Sequence, residues 1–262
     1  MPRQPSSYRS NFSFGPGPAS TALKALIGAN VALFVAQTLA QWFAPLDVTG
    51  TDVLTAALGL RPADVAGRFH IWQLATYMFL HAGVLHILFN MLALWMFGAE
   101  LERRWGTRYF LKYYFVTGAG AALLTVLVSL LPFAFAADLH RSVIIGASGA
   151  VYGLLLAYAL YFPDRPIYMY LVFPIPAKYF VMIVGALAFY TSVGDTGGVA
   201  SATHLGGIVV GYLYLKGARI HPLSELKYRY VKWKIGRARK KFDVYSGGRA
   251  ARDNDDWNRR VH

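Results

Sequence analysis

Residues 145–153 read IGASGAVYG, with a serine between glycines where an extended segment gives way to an apolar helix. We expect Ser148 near a helix N-terminus, where unpaired backbone N–H groups favour a developing negative charge. Gly146 and Gly149 allow close backbone approach. Ser148 is then either a nucleophile beside an oxyanion site, or a hydrogen-bonding group in a packing seam formed by Gly149 and Gly153. Taken alone, the stretch favours the packing seam.

The composition is typical of a polytopic membrane protein. Of the 262 residues 56% are hydrophobic, and the mean hydropathy is +0.38, well above that of soluble domains. The absence of cysteine excludes disulfides and thiolate metal sites. No His-Glu-x-x-His motif occurs, so a zinc protease is not indicated. We expect neither a metal nor a cofactor.

The hydropathy pattern predicts an all-α membrane protein with a six-transmembrane-helix bundle. The predicted spans are residues 21–43, about 82–101, 109–131, 146–162, 177–193 and 202–215. Between the first two, residues 44–80 predict an interfacial loop with short amphipathic helices. Residues 166–176 contain three prolines and are expected to lie on the surface. The predicted domains are a disordered cytoplasmic segment over 1–20, the helical core over 21–218, and a basic cytoplasmic tail over 219–262.

The distribution of basic residues predicts the orientation. Residues 216–262 hold 14 Lys and Arg against 5 Asp and Glu. The positive-inside rule then places both termini in the cytoplasm, and we expect a multi-pass protein of the bacterial inner (plasma) membrane. The segment LKYRYVKWKIGRARKKF (226–242) is expected to lie on anionic lipids, and we expect no nucleic-acid partner.

Three polar residues from different predicted spans share one depth. At 1.5 Å per residue, Ser148, His204 and Asn90 lie roughly 18 to 23 Å above the cytoplasmic face. Tyr152 follows Ser148 by four residues, which puts its ring beneath the serine, where it can stack on an imidazole. His86 precedes Asn90 by four, which presents both side chains to one side.

These residue types predict a catalytic dyad. Serine needs a base, and histidine is the usual one. No carboxylate lies at this depth, so the sequence indicates a dyad of Ser148 and His204 without a third member. The Ser148 N–H, His86 and Asn90 are the candidate oxyanion donors. The alternative is that the histidines are packed interhelical residues with no chemical role.

Three segments strongly resemble the signature regions of rhomboid intramembrane serine proteases. They are HAGVLHILFN (81–90), GASGAVYG (146–153) and ATHLGGIVVG (202–211), in the family's order and spacing. The resemblance covers most of residues 72–215. It implies a six-helix core in which water reaches a submerged site, and it implies cleavage of peptide bonds in or near the transmembrane segments of membrane proteins.

The resemblance also assigns roles to residues. It implies Ser148 as nucleophile, His204 as general base with Tyr152 packed on it, and His86 and Asn90 as oxyanion donors. The fifth helix and the loop before His204 would gate lateral access of a substrate helix. The segment GAELERRWG (98–106) resembles a turn of the family in which Glu102 is structural. One departure is Trp72-Gln73, where many members have Trp-Arg.

Two other functions remain open. A polytopic transporter also places polar groups within the membrane, but it predicts internal repeats, and none is evident. A non-proteolytic rhomboid-like membrane chaperone characteristically lacks the serine or the histidine, and this chain has both.

Overall fold

The computed structural model describes residues 17–43, 51–169, 173–193, 198–219, 230–234 and 237. The chain divides into two compact units, Met1–Lys216 and Gly217–His262. In the second unit residues 230–234 are helical, and Arg237 lies over the Trp233 ring at 4.3 Å. Most of the predicted disordered segment 1–20, and most of the basic tail, fall outside the described residues.

The described part of the first unit is mainly helical. Its elements are α1 (Thr21–Phe43), α2 (Val53–Leu58), α3 (Pro62–Arg68), α4 (Gln73–Thr76), a 3-10 turn (Tyr77–Phe79), α5 (Val84–Trp105), α6 (Thr107–Ser129), α7 (Ala134–Arg141), α8 (Ser148–Tyr161), β1 (Pro166–Met169), β2 (Phe173–Pro176), α9 (Ala177–Val193) and α10 (Gly198–Arg219). Among the described helices, α1, α5 and α6 are long and apolar enough to cross a membrane. The count of six spans therefore stays a prediction.

The proline-containing segment before α9 is a two-stranded antiparallel hairpin. Ile167 pairs with Ile175 in its register. The all-α expectation missed this hairpin. In a two-stranded sheet both strands are edges, and proline is tolerated on an edge because its missing N–H faces away from the ladder.

Helix α8 lies at the centre of the bundle and contacts α5, α6 and α9. Its small and apolar side chains Ala150, Leu154 and Ala157 are fully buried. Outer helices instead expose large apolar side chains such as Met182 and Leu187 of α9. Exposed apolar faces of this extent fit contact with lipid tails. The central position of α8 fixes Ser148, its first residue.

The predicted interfacial loop contains α2, α3 and α4, which confirms the short helices. Hydrogen bonds hold this loop in place: Trp72 Nε1 donates to the Ala57 carbonyl, and Thr76 Oγ1 donates to the Leu58 carbonyl. Gln73 is fully buried, and its Oε1 accepts from the Arg61 N–H at 3.0 Å. Gln73 therefore links the start of α4 to the residue before α3.

Candidate active site

The local backbone presents Ser148 at the start of α8. Ile144 forms an antiparallel bridge with Leu60, and the Gly146 N–H donates to the Tyr77 carbonyl. Gly146 has φ +127°, a conformation that favours glycine. The helix has no side-chain N-cap. The first N–H groups of a helix have no intrahelical acceptor, and in α8, which begins at Ser148, no N-cap side chain takes its place, which suits an anion.

The structure brings Ser148 and His204 into hydrogen-bond contact. His204 Nε2 of α10 lies 2.8 Å from Ser148 Oγ. The imidazole stacks on the ring of Tyr152, with centroids 4.3 Å apart and planes 5° apart. Among the described residues, no carboxylate hydrogen bonds to His204. The arrangement can transfer a proton between a hydroxyl and a base that an aromatic ring holds in one orientation.

Glycines on α8 and α10 allow this approach. A Cβ on Gly207 would overlap the carbonyl oxygen of Gly149, and a Cβ on Gly211 would lie 3.3 Å from the Gly153 Cα. The packing seam and the nucleophile are therefore not exclusive interpretations, because the glycine seam brings the helix of His204 to the helix of Ser148.

His86 lies close to Gly146, the glycine two residues before Ser148. A Cβ on Gly146 would be 2.8 Å from His86 Cε1, 2.9 Å from His86 Nε2 and 3.6 Å from Ser148 Oγ. The Nε2 edge of His86 and the serine hydroxyl thus flank the same glycine. His86 Nδ1 accepts from the Ala82 N–H at 3.2 Å.

Asn90 is buried, and its Nδ2 donates to the His86 carbonyl one turn earlier at 2.9 Å. This bond occupies one donor of its amide and leaves the other. A role for Asn90 as an oxyanion donor stays a prediction.

Residues outside the predicted site also shape it. Gln37 is 2% exposed and its Oε1 accepts from the His81 N–H at 3.1 Å. In the sequence, Gln37 shows only as a polar interruption of an apolar span, typical of a helix packed against others.

Glu102 lies near the C-terminal end of α5, away from Ser148. It accepts hydrogen bonds from the Ser20 and Thr107 hydroxyls, as a structural role implies. Within the described residues, no three His, Asp or Glu side chains are grouped to hold a metal.

The sequence is similar to a known protein family and to several of its members. The Rhomboid family model, described as "Rhomboid domain", matches residues 68–219. The chain is 30% identical to rhomboid protease GluP of Bacillus subtilis over 69% of its own length and 33% of that protein. It is 31% identical to RHOMBOID-like protein 4 of Arabidopsis thaliana, over 67% of this chain and 41% of that protein. It is 27% identical to rhomboid protease AarA of Providencia stuartii, over 80% of this chain and 76% of that protein.

The chain thus spans less than half the length of the first two relatives and about three quarters of the third. The domain match covers more than half of this chain and includes all three signature segments. Together with the apolar helices, it shows that the chain is an integral membrane protein of the rhomboid family.

Proposed function

We propose that the chain is a serine endopeptidase that hydrolyses peptide bonds in or near the transmembrane segments of membrane proteins. The observation that carries the proposal is the 2.8 Å contact between His204 Nε2 and Ser148 Oγ at the N-terminus of an apolar helix. Two of the relatives are named rhomboid proteases, which supports the same reaction class.

In the first half-reaction, Ser148 Oγ attacks the carbonyl carbon of the scissile peptide while His204 Nε2 takes the hydroxyl proton. The carbonyl oxygen becomes an oxyanion beside the Ser148 N–H, with His86 and Asn90 as further donors. Each such donor is worth about 2.7 to 4 kcal/mol in known hydrolases. The C–N bond then breaks, His204 returns its proton to the leaving amine, and Ser148 is left as an acyl ester.

In the second half-reaction, water adds to the ester carbon and gives a proton to His204 Nε2. The second tetrahedral intermediate collapses, the ester C–O bond breaks, and the proton returns to Ser148 Oγ. The products are two peptides with a new carboxylate and a new amine. No other reactant is needed.

The substrate must expose its carbonyl groups within lipid. A hydrogen-bonded helix hides them, so suitable substrates unwind locally near the outer end of their transmembrane segment, with small residues at the cleavage position. We propose that α9 and the loop before His204 provide lateral access. The protein would have both termini in the cytoplasm, with the core over 21–218 and the tail over 219–262 on anionic lipid.

The direct test uses purified full-length protein in liposomes with a reporter transmembrane substrate and a fluorophosphonate probe. We expect cleavage and labelling by the wild type, and neither by Ser148→Ala or His204→Ala. Ser129→Ala is the matched control, because Ser129 Oγ also lies near an imidazole nitrogen, His140 Nδ1 at 3.2 Å, but at the C-terminal end of α6. Equal cleavage by wild type and Ser148→Ala would remove Ser148 as the nucleophile, whereas neither cleavage nor labelling by the wild type would favour a chaperone or transporter.

A further inference from the structure

We infer that Gln37 of α1 is a positioning residue that fixes the tautomer of His86 through the turn at residues 81–83. The inference rests on the proposed function, since it assigns the means by which His86 becomes an oxyanion donor. It concerns a residue that lies outside the three signature segments, and it is carried by a series of contacts in which two sets of hydrogen bonds are joined through the backbone of His81 and Ala82.

The first part of that series joins α1 to the turn. Both ends of the Gln37 carboxamide are hydrogen-bonded: its Nε2 donates to Thr55 Oγ1 at 2.9 Å, and its Oε1 accepts from the His81 N–H at 3.1 Å. Gln37, Thr55 and His81 are all buried. Because the His81 backbone N–H can only donate, the carboxamide must turn its oxygen to His81, and its amide nitrogen then faces Thr55 Oγ1. A buried N–H without this acceptor would cost about 1–3 kcal/mol.

The second part joins the turn to His86. The Ala82 N–H, one residue beyond, donates to His86 Nδ1. The His81 ring packs edge-on against the His86 ring, with centroids 5.1 Å apart. The same two-residue segment that Gln37 holds therefore makes both a hydrogen bond and a ring contact to His86.

The hydrogen bond decides which nitrogen of His86 carries the proton. A neutral imidazole has one N–H and one acceptor nitrogen, and the partner of one nitrogen sets the state of the other. Because Nδ1 accepts from Ala82, the proton of neutral His86 is on Nε2. That nitrogen and Ser148 Oγ both lie within 4 Å of the position that a Cβ on Gly146 would take. The tautomer thus supplies a donor where an oxyanion forms, whereas the other tautomer would supply a lone pair.

Gln41 provides a matched control. It is the same residue type one turn further along α1, and its Nε2 donates to Asp52 Oδ2 at 3.2 Å. Its bond reaches the start of α2 and not the turn before α5. Replacement by methionine, which is close in shape to glutamine, removes the amide at either position. Thr55→Val adds a second control, since it removes the bond to the Gln37 amide nitrogen and leaves its oxygen free to accept from His81.

The experiment measures cleavage kinetics and the ring-nitrogen NMR signals of His86, with 15N-histidine protein in which His86→Gln identifies the signals. In the wild type we expect an unprotonated Nδ1 and a protonated Nε2. In Gln37→Met we expect a mixture of tautomers and a kcat about tenfold lower with KM little changed, since only transition-state stabilisation is lost. Gln41→Met should keep both the tautomer and kcat, and Thr55→Val should lie nearer to the wild type than to Gln37→Met.

Three results would overturn the inference. One is a wild-type His86 with its proton on Nδ1. Another is an unchanged tautomer in Gln37→Met, even if that variant is less active or less stable. The third is the same loss of kcat in Gln41→Met. Failure of the proposed function is separate, because the NMR readout needs no turnover and Ser148→Ala tests turnover alone.

Discussion

Gly207 of α10 lies directly against the backbone carbonyl group of Gly149 on α8, with no room for a side chain between them. Gly149 follows Ser148, and Gly207 lies one helical turn after His204. The separation of these two backbones therefore sets the distance between the hydroxyl and the imidazole. Ser148 and His204 reach hydrogen-bond distance because Gly149 and Gly207 let the two helices pack backbone to backbone.

The first prediction concerns Gly207→Ala. The added methyl group forces α8 and α10 apart, which costs about 1–3 kcal/mol of stability. The same displacement separates His204 Nε2 from Ser148 Oγ, and a 1 Å misplacement lowers rates by about 100-fold. We expect cleavage and fluorophosphonate labelling to fall by that order while the protein stays folded.

Gly28→Ala is the control for this change. Gly28 is also a glycine within a long apolar helix, and a Cβ there would meet nothing within 4 Å. It should be neutral or slightly stabilising, since alanine favours helices by about 1 kcal/mol over glycine. Wild-type cleavage by Gly207→Ala would show that the seam does not set the dyad distance.

The sequence predicted the glycine seam but not its partners. The spacing of Gly149 and Gly153 indicated that this face of α8 packs closely against another helix. Which glycine faces which depends on the crossing of two helices whose residues Ser148 and His204 are 56 positions apart, and local periodicity contains no such information. The same holds for Gln37, whose partners Thr55 and His81 are 18 and 44 residues away.

Backbone context explains the remaining differences. The prolines at 166, 174 and 176 led to the expectation of a surface segment, but not of a hairpin, in which two paired edge strands accommodate them. Asn90 was expected to face the site with His86, from their spacing, and its oxyanion role stays a prediction. One N–H of its amide bonds to its own helix, a local bond that spacing cannot predict.

The second prediction concerns the ring stacked on His204. Tyr152→Phe keeps the stacked ring and should cleave within about threefold of the wild type, whereas Tyr152→Ala should lose about tenfold, the scale of an aromatic pair contact. The measurement compares the cleavage rates of the two variants, with each rate divided by the concentration of protein that the fluorophosphonate probe labels. If Tyr152→Phe lost as much as Tyr152→Ala, the hydroxyl and not the stack would be the essential part.

The third prediction concerns Thr125 and Thr203, a buried pair between α6 and α10 with 3.0 Å between hydroxyl oxygens. Thr125 Oγ1 donates to the Ala121 carbonyl, so in their mutual bond Thr203 is the donor. Thr203→Val leaves Thr125 satisfied and should cost about 1 kcal/mol, whereas Thr125→Val leaves a buried hydroxyl unpaired and should cost about 1–3 kcal/mol.

Unfolding in mixed micelles measures these free energies, and the double variant completes the cycle. Because Thr125→Val/Thr203→Val removes both hydroxyls, it should be less destabilised than the sum of the single variants. An additive double variant, or a larger loss in Thr203→Val than in Thr125→Val, would contradict the assigned donor.

The fourth prediction concerns the pH dependence of the loop around α2. Burial raises the pKa of Asp52, but hydrogen bonds from Thr55, Gln41 and the Leu54 N–H outweigh it and hold that pKa below its ordinary value of 3.8. A group whose pKa is lower in the folded state stabilises the fold above the ordinary pKa. That contribution is lost as the pH falls through the folded value.

Asp52→Asn removes the charge, and asparagine Oδ1 can still cap α2, but an NH2 group replaces Oδ2 and the bond from Gln41 Nε2 is lost. At pH 7 the wild type should be more stable than the variant by about 1–3 kcal/mol, the range for a hydrogen bond to a charged group. The gap should stay constant down to about pH 4 and shrink below it. Thermal unfolding of both proteins from pH 7 to pH 3 measures the gap, and other titrating groups cancel because they are common to both. A gap that widened in acid would mean that burial, and not hydrogen bonding, controls the Asp52 carboxyl.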